Sequence, residues 1–288
     1  MQPLAIDTAP AAEARQIAFF QQRSPSERLA LMFDLSAFAL AASRDAIRRA
    51  HPHLDPLAQA QFLAALQFGT THAAQIQRAP SVDGAMSIPA AILPVITTFT
   101  GLRIPYYIGG SVASSAYSLP RTTYDVDMVA DMRSRHVSPF SAALTSEYYV
   151  DSSAIFDAIT HRSSFNMTHQ ATGINIDVFI PHGRPFDRVQ FTRVQAHVLP
   201  GADQPVNLAS PEDVLLNKLA WYELGNRVSD QQWRDIQSII RVQAAALDQP
   251  YLRRWAADLN LSALLEVALR GEGPPTNPPG DPHQQRMF

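Results

Sequence analysis

The sequence predicts an α+β protein in which helical segments at both ends enclose a middle of mixed helix and strand. Three observations carry this. Apolar residues recur at helical spacing after Ser24 and again after Ser210. Short apolar or alternating runs, bounded by Gly, Pro and Thr, recur from Ile104 to Leu199. A chain of 288 residues with 46% hydrophobic and 17% charged positions can bury the core of one large or two modest domains.

Ser24-Pro-Ser-Glu27 is a capping box with proline at the first helical position, and Leu29, Met32, Phe33, Leu40 and Ile47 follow on one stripe, which predicts a helix to about Ala50. His51-Pro-His stops it. Asp55-Pro56 opens a second helix carrying Leu57, Phe62, Leu66 and Phe68, so residues 1–80 form a helical module built on a hairpin. Ala79-Pro-Ser-Val-Asp-Gly84 has linker composition. A helix over Pro89–Thr100 ends at Gly101, and strands are expected at Ile104–Ile108, Tyr124–Val129, Tyr148–Val150, Phe165–His169, Ile174–Ile180 and Val194–Leu199. Short helices are expected at Val112–Tyr117 and near Ala154–Thr160. This mixed segment, residues 81–205, is the expected core domain. A helical region over 206–270 opens at Ser210-Pro-Glu-Asp213, breaks at Gly225, restarts at Ser229 and ends in two shorter helices near 249–258 and 262–270. Residues 271–288 have the Pro- and Gly-rich composition of a disordered tail.

Composition narrows the chemistry. With no cysteine, a disulfide scaffold, a thiolate metal site and a Cys nucleophile are all excluded. A net charge of -3 gives no bulk basic field for coating nucleic acid. The start lacks a basic and an apolar segment, and the longest uncharged run, Gly84–Leu102, is interrupted by Pro89, Pro94 and Gly101, so a cytoplasmic protein without a membrane span is expected. His51 and His53 flank a proline, and two histidines complete no metal site.

The informative block is Tyr107-Ile108-Gly109-Gly110-Ser111, followed by Pro120-Arg121-Thr-Thr-Tyr-Asp125-Val126-Asp127. A strand feeding two glycines and a helix start lets backbone N–H groups and the Ser111 hydroxyl approach phosphate oxygens, with the helix dipole favouring the negative charge. A glycine pair also suits a plain tight turn, and neither GxGxxG nor GxxxxGK[ST] is present. Asp125 and Asp127, two apart on a strand, share one face about 7 Å apart. Such a pair is either a solvated edge or a site for a divalent cation with oxygen ligands, naturally Mg²⁺. Asp177 stands in Gly173-Ile-Asn-Ile-Asp177-Val-Phe-Ile180, where Asn175, Asp177 and Phe179 alternate against apolar neighbours. If this strand lies beside the first, three acids converge and Asp177 can serve as general base; otherwise it is an acid paired with an arginine. Arg121, between the cradle and the acids, suits a phosphate contact or a turn.

The spaced set Ile108, Gly109-Gly110-Ser111, Asp125, Asp127 and Asp177 resembles the DNA polymerase β-like nucleotidyltransferase superfamily over roughly residues 87–245. Within it, Gly-Gly-Ser-Val-Ala-Ser-Ser and Pro-Arg-Thr-Thr-Tyr-Asp-Val-Asp look most like the bacterial abortive-infection (AbiEii-like) toxin type. Lys218, the only lysine among 23 basic residues, resembles the basic residue of a downstream motif there, and Arg234-Asp235 its following basic-acidic pair. The resemblance implies a polymerase β-like core with a mixed sheet. It implies Asp125, Asp127 and Asp177 as catalytic metal ligands for Mg²⁺ or Mn²⁺. Gly109, Gly110, Ser111, Arg121 and Lys218 would hold an NTP, and the acceptor would be RNA, tRNA included, or protein, in a toxin-antitoxin or phage-defence role. A small-molecule adenylyltransferase and a non-catalytic nucleotide- or partner-binding module are the rivals. The N-terminal helices, which hold no catalytic grouping, would pack on the core, on a partner, on a second copy, or act as an antitoxin-like module in cis.

Overall fold

A computed structural model describes residues 4, 8–78, 88–202 and 204–275. The linker expected at 79–84 and most of the tail, from 276 on, lie outside the described residues. Among the described residues the helices are α1 (Pro10–Gln21), α2 (Pro25–Ala50), α3 (Pro56–Phe68), α4 (Thr70–Ala73), α5 (Ile88–Gly101), α6 (Gly110–Tyr117) and α7 (Val137–Leu144). They continue with α8 (Ser152–His161), α9 (Pro185–Thr192), α10 (Pro211–Leu224), α11 (Asp230–Gln243), α12 (Gln249–Asp258) and α13 (Ser262–Leu269). The strands are β1 (Tyr106–Ile108), β2 (Asp125–Ala130), β3 (Tyr148–Tyr149), β4 (Ser164–His169), β5 (Asn175–Phe179), β6 (Gln195–His197) and β7 (Val206–Leu208). The class is α+β, and the chain divides into two units, Arg23–Ser210 and Met1–Gln22 with Pro211–Phe288.

The first unit holds the sheet, in the order β3-β4-β5-β2-β1-β7-β6. β2 pairs with β5, and β1 with β7, in parallel; the remaining pairs are antiparallel, so the sheet is mixed. At the centre of the sheet one face is apolar: Val126, Met128 and Ala130 of β2 and Ile176 and Val178 of β5 are fully buried. Phe99 of α5 stacks on Tyr106 of β1 at 5.5 Å and on Phe140 of α7 at 5.2 Å, which seats both helices on this core.

The hairpin α2–α3 belongs to the same unit. Its first helix starts where the capping box places it, with Ser24 Oγ accepting the Glu27 N–H at 3.2 Å and Glu27 accepting the Ser24 N–H at 2.7 Å. Leu29, Met32, Phe33, Leu40 and Ile47 are buried, as their spacing requires. Asp55 caps α3 by accepting the Ala58 N–H at 2.8 Å. Here the inward face differs in part from the expected one: Leu57 packs inward, but Phe62 and Leu66 are exposed, and Ala60, Leu63 and Ala64 turn inward in their place. The strand expected from Ile104 begins only at Tyr106, because Pro105 has no N–H to give the ladder and the Ile104 N–H is spent on Phe99 O at 2.8 Å.

The second unit is helical. Ser229 caps α11 by accepting the Gln232 N–H at 3.3 Å, and Gly225 follows the last turn of α10. Trp233 and Ile236 are core residues, Trp233 lying 5.2 Å from Tyr222. The sequence did not announce α1, which is held within this unit by polar contacts: Arg241 of α11 pairs with Glu13 at 3.1 Å, and its carbonyl accepts from Gln21 Nε2 at 2.9 Å. Lys218 and Asp235 form a second buried pair, Nζ to Oδ2 2.7 Å, at 5% and 6% exposure. Removing one charge strands the other in the interior, so Lys218→Met is expected to cost about 3–5 kcal/mol, readable as a lowered denaturant midpoint of this unit.

Candidate active site

Alternation on two strands builds the polar face of the sheet. On β2 the residues alternate strictly between half-exposed Asp125, Asp127 and Val129 and buried Val126, Met128 and Ala130. β5 lies alongside with Asp125 facing Asn175, Asp127 facing Asp177 and Val129 facing Phe179. Parallel, in-register strands about 4.8 Å apart turn side chains at facing positions to one side. Asp125, Asp127 and Asp177 therefore stand on the same face, opposite the apolar core. The antiparallel neighbour β4 adds Asn166, facing Asp177, and Thr168, facing Asn175.

Each acid has a distinct holder. Asn175 Nδ2 donates to Asp177 Oδ2 at 2.9 Å, and the Asn175 Oδ1 in turn accepts from Asn166 Nδ2 at 3.4 Å. Thr123, buried at 4% exposure, donates its hydroxyl to Asp125 Oδ1. Asp127 is held by backbone shape. The Gly109 N–H donates to Asp127 O at 2.9 Å, and Gly110 has φ +52°, with the place of its missing Cβ only 1.7 Å from Asp127 Oδ2. A side chain at 110 would occupy the carboxylate's position, which is why this glycine is required; at Gly109 nothing lies within 4 Å of the corresponding point.

Gly110 also opens α6, so the first N–H groups of that helix begin beside the Asp127 carboxylate. Ser111 Oγ accepts from Arg121 Nη2 at 2.7 Å, and Arg121 Nη1 donates to Thr122 O at 3.2 Å. A guanidinium, a hydroxyl and a helix N-terminus thus adjoin a strand bearing two carboxylates. Lys218 lies in the other unit, on α10, with its ammonium on Asp235 and on Gln232 Oε1 at 3.2 Å.

Burial pushes the Asp177 carboxyl up, the Asn175 hydrogen bond pulls it down, and the Asp125 charge pushes it up again, with a net rise. The folded state thus binds the Asp177 proton more tightly than the unfolded chain does. Its contribution to stability is fully present below the ordinary carboxylate range and is lost as pH rises through the raised value. Asp177→Asn, uncharged at every pH, is expected to raise the thermal midpoint slightly at pH 7.5 relative to wild type and to lose that advantage near pH 4.

The donor set fits a hard divalent cation. Among the described residues no three Asp, Glu, His or Cys side chains close into a metal cage. Mg²⁺ does not require one, because it keeps several waters and is usually held by one or two carboxylates together with substrate phosphates. Asp127 and Asp177, facing across the strand pair, and Asp125 beside them would be the carboxylates for that mode of binding.

Two side chains that hold the acids, Thr123 and Asn175, carry no motif of their own. Both stand two residues before an acid; strand alternation places Asn175 on the face of Asp177, while Thr123 precedes β2 and only its hydrogen bond brings it to Asp125.

The fold and site define an α+β sheet protein with an Asp-x-Asp strand beside a glycine turn. No family model matches this chain, and no curated protein does. Among solved structures it is similar to an antigenic nucleotidyltransferase-like protein from Paracoccidioides brasiliensis, at 21% identity over 63% of this chain and 92% of that one, TM-score 0.39. It is also similar to the antibiotic-resistance factor ANT(2'')-Ia, at 15% identity over 64% of this chain and 97% of that one, TM-score 0.37. No helix among the described residues is long and apolar enough to cross a membrane.

Proposed function

We propose that this chain is a nucleotidyltransferase that moves a nucleoside monophosphate from an NTP to an acceptor hydroxyl. The supporting observation is the in-register pairing of Asp127 with Asp177, with Asp125 on the same face and Gly110 closed against the Asp127 carboxylate. Three acids on one polar face, adjoining donors suited to phosphate, fit in-line displacement at phosphorus better than a structural role, because crowded carboxylates are otherwise a cost.

Asp125, Asp127 and Asp177 would hold Mg²⁺ or Mn²⁺, which when bound neutralises phosphate charge and makes a nearby hydroxyl more acidic. The Gly110 N–H, the Ser111 hydroxyl and the Arg121 guanidinium would hold and orient the triphosphate, whereas the Gly109 N–H is already given to Asp127 O. Lys218, which the resemblance implies for phosphate, belongs to the other unit and has its ammonium on Asp235 and Gln232, so no triphosphate contact is assigned to it. The acceptor oxygen attacks the α-phosphorus, its proton passing to the Asp177 carboxylate. The new O–P bond forms as the α–β anhydride bond breaks, and pyrophosphate leaves with the displaced oxygen. Burial raises the proton affinity of Asp177 above that of an ordinary carboxylate, the direction a proton acceptor needs.

RNA, tRNA included, or protein is the proposed acceptor, and a toxin role follows from the same resemblance. The test is incubation with Mg²⁺ and each base-labelled NTP, with total tRNA or cell lysate, on gels resolving RNA from protein. Label on one of the two supports the assignment and names the acceptor. Label on neither, with all four NTPs, overturns an RNA or protein acceptor, and absence of pyrophosphate release as well contradicts the transferase assignment.

A further inference from the structure

We propose that Thr123, backed by Ser36 of α2, is the positioning residue for Asp125, so that the α2–α3 hairpin is a structural part of the metal-binding site; this rests on the reading of Asp125 as a metal ligand. The contacts form a chain from helix to carboxylate. Ser36, buried at 3% exposure, accepts the Thr123 N–H on its Oγ at 3.0 Å and turns its own hydroxyl toward Met32 Sδ at 3.7 Å. That fixes the backbone of Thr123. The Thr123 Oγ1 lies 3.2 Å from Asp125 O and donates to Asp125 Oδ1, which leaves Oδ2 as the oxygen outside this bond.

A second, independent contact clamps the next residue. Tyr124 packs against the buried cluster of Leu40 and Ile47 from α2 and Leu63 from α3. The two residues immediately before the Asp-x-Asp strand are therefore both seated on the hairpin, one by a hydrogen bond and one by apolar contact. A carboxylate on a strand end with a free χ1 would sample several rotamers. One that accepts from a buried hydroxyl is held in one of them, and metal ligands commonly depend on such outer partners for orientation. The hydroxyl is specifically required: valine has the shape of threonine without the donor, and serine keeps the donor.

The experiment uses the full chain and measures Mn²⁺ affinity by electron paramagnetic resonance, beside the thermal midpoint and the kcat and KM for NTP transfer. Thr123→Val is expected to weaken Mn²⁺ binding about 10–100-fold, the scale for losing an outer partner of a metal ligand. It should lower kcat at saturating NTP more than it raises KM, and Thr123→Ser should restore both. Should Thr123→Val fail to fold, Ser36→Ala serves instead: it removes only the support of the Thr123 backbone and is expected to weaken Mn²⁺ binding in the same direction. A folded Thr123→Val or Ser36→Ala protein that binds Mn²⁺ as wild type does overturns the positioning role while leaving the transferase assignment intact. A wild-type chain that neither binds Mn²⁺ nor transfers label overturns both.

Discussion

Asp127→Asn is expected to abolish nucleotide transfer, with a loss of at least about 10²-fold, the scale set by removing one preorganised charge-stabilising group. The carboxylate is replaced by a neutral group of the same shape. Asp127 faces Asp177 across the parallel pair and presses on Gly110, so the change removes one of two facing acids without opening a cavity. Since Asp127 is half-exposed, the thermal midpoint should stay within roughly 2 °C of wild type. Activity lost together with the fold would instead mark Asp127 as a structural residue.

Gly110→Ala is expected to be the most damaging one-atom change in the sheet unit. Its Cβ would sit 1.7 Å from Asp127 Oδ2, far inside contact distance, and an alanine at φ +52° is itself disfavoured by about 1–2 kcal/mol. Either the Asp127 side chain leaves its rotamer or the α6 N-terminus moves. Both outcomes separate the first N–H groups of α6 from the carboxylate, so transfer should fall by about 10²-fold or more and the midpoint by several degrees. The neighbouring Gly109→Ala, at φ -116° with nothing near its Cβ, is expected to leave the midpoint close to wild type. Paired melting curves of the two variants check whether the demand for glycine belongs to 110 alone.

Local signals were the legible part of the fold. Ser24 with Glu27, Asp55 with Pro56, and Ser229 mark helix starts because capping is a contact between residues three apart, and such contacts are written in adjacent sequence. The alternation through Asp125-Val-Asp127 and Asn175-Ile-Asp177 is equally local, and it placed the acids on polar faces. Elements held by distant partners left no such mark. In α1 the one buried residue is Glu13, paired with Arg241 far along the chain, so no apolar stripe announces the helix. Pro139 in Val137-Ser-Pro-Phe reads as a breaker, yet it falls in the first turn of α7, where its missing N–H is not needed. The arginine at 184 is an uncommon N-cap for α9, and β7 has three residues, too few for a period.

The candidate site divides in the same way. Its parts were visible: the glycine turn, the paired acids and the third acid. The register joining them was not, because Asp127 and Asp177 are fifty residues apart in a chain that must choose among several strand pairings. The demand on Gly110 was visible only as a preference for turns; its cause, the Asp127 carboxylate filling the place of a side chain, is a tertiary contact. Asn175 shows the intermediate case, since period-2 spacing puts it beside Asp177 but says nothing of hydrogen bonding, whereas Thr123, ahead of β2, reaches Asp125 through a bend.

Nucleotidyl transfer is distinguished from every other use of this polar face by which phosphorus moves. The decisive measurement incubates the wild-type chain, Mg²⁺ and acceptor with an NTP labelled at the α-phosphorus and, in parallel, at the γ-phosphorus. Covalent label on the acceptor from the α-labelled nucleotide, with the γ-label appearing in pyrophosphate, is the result expected. Label transferred from the γ position, or none from either, would contradict it.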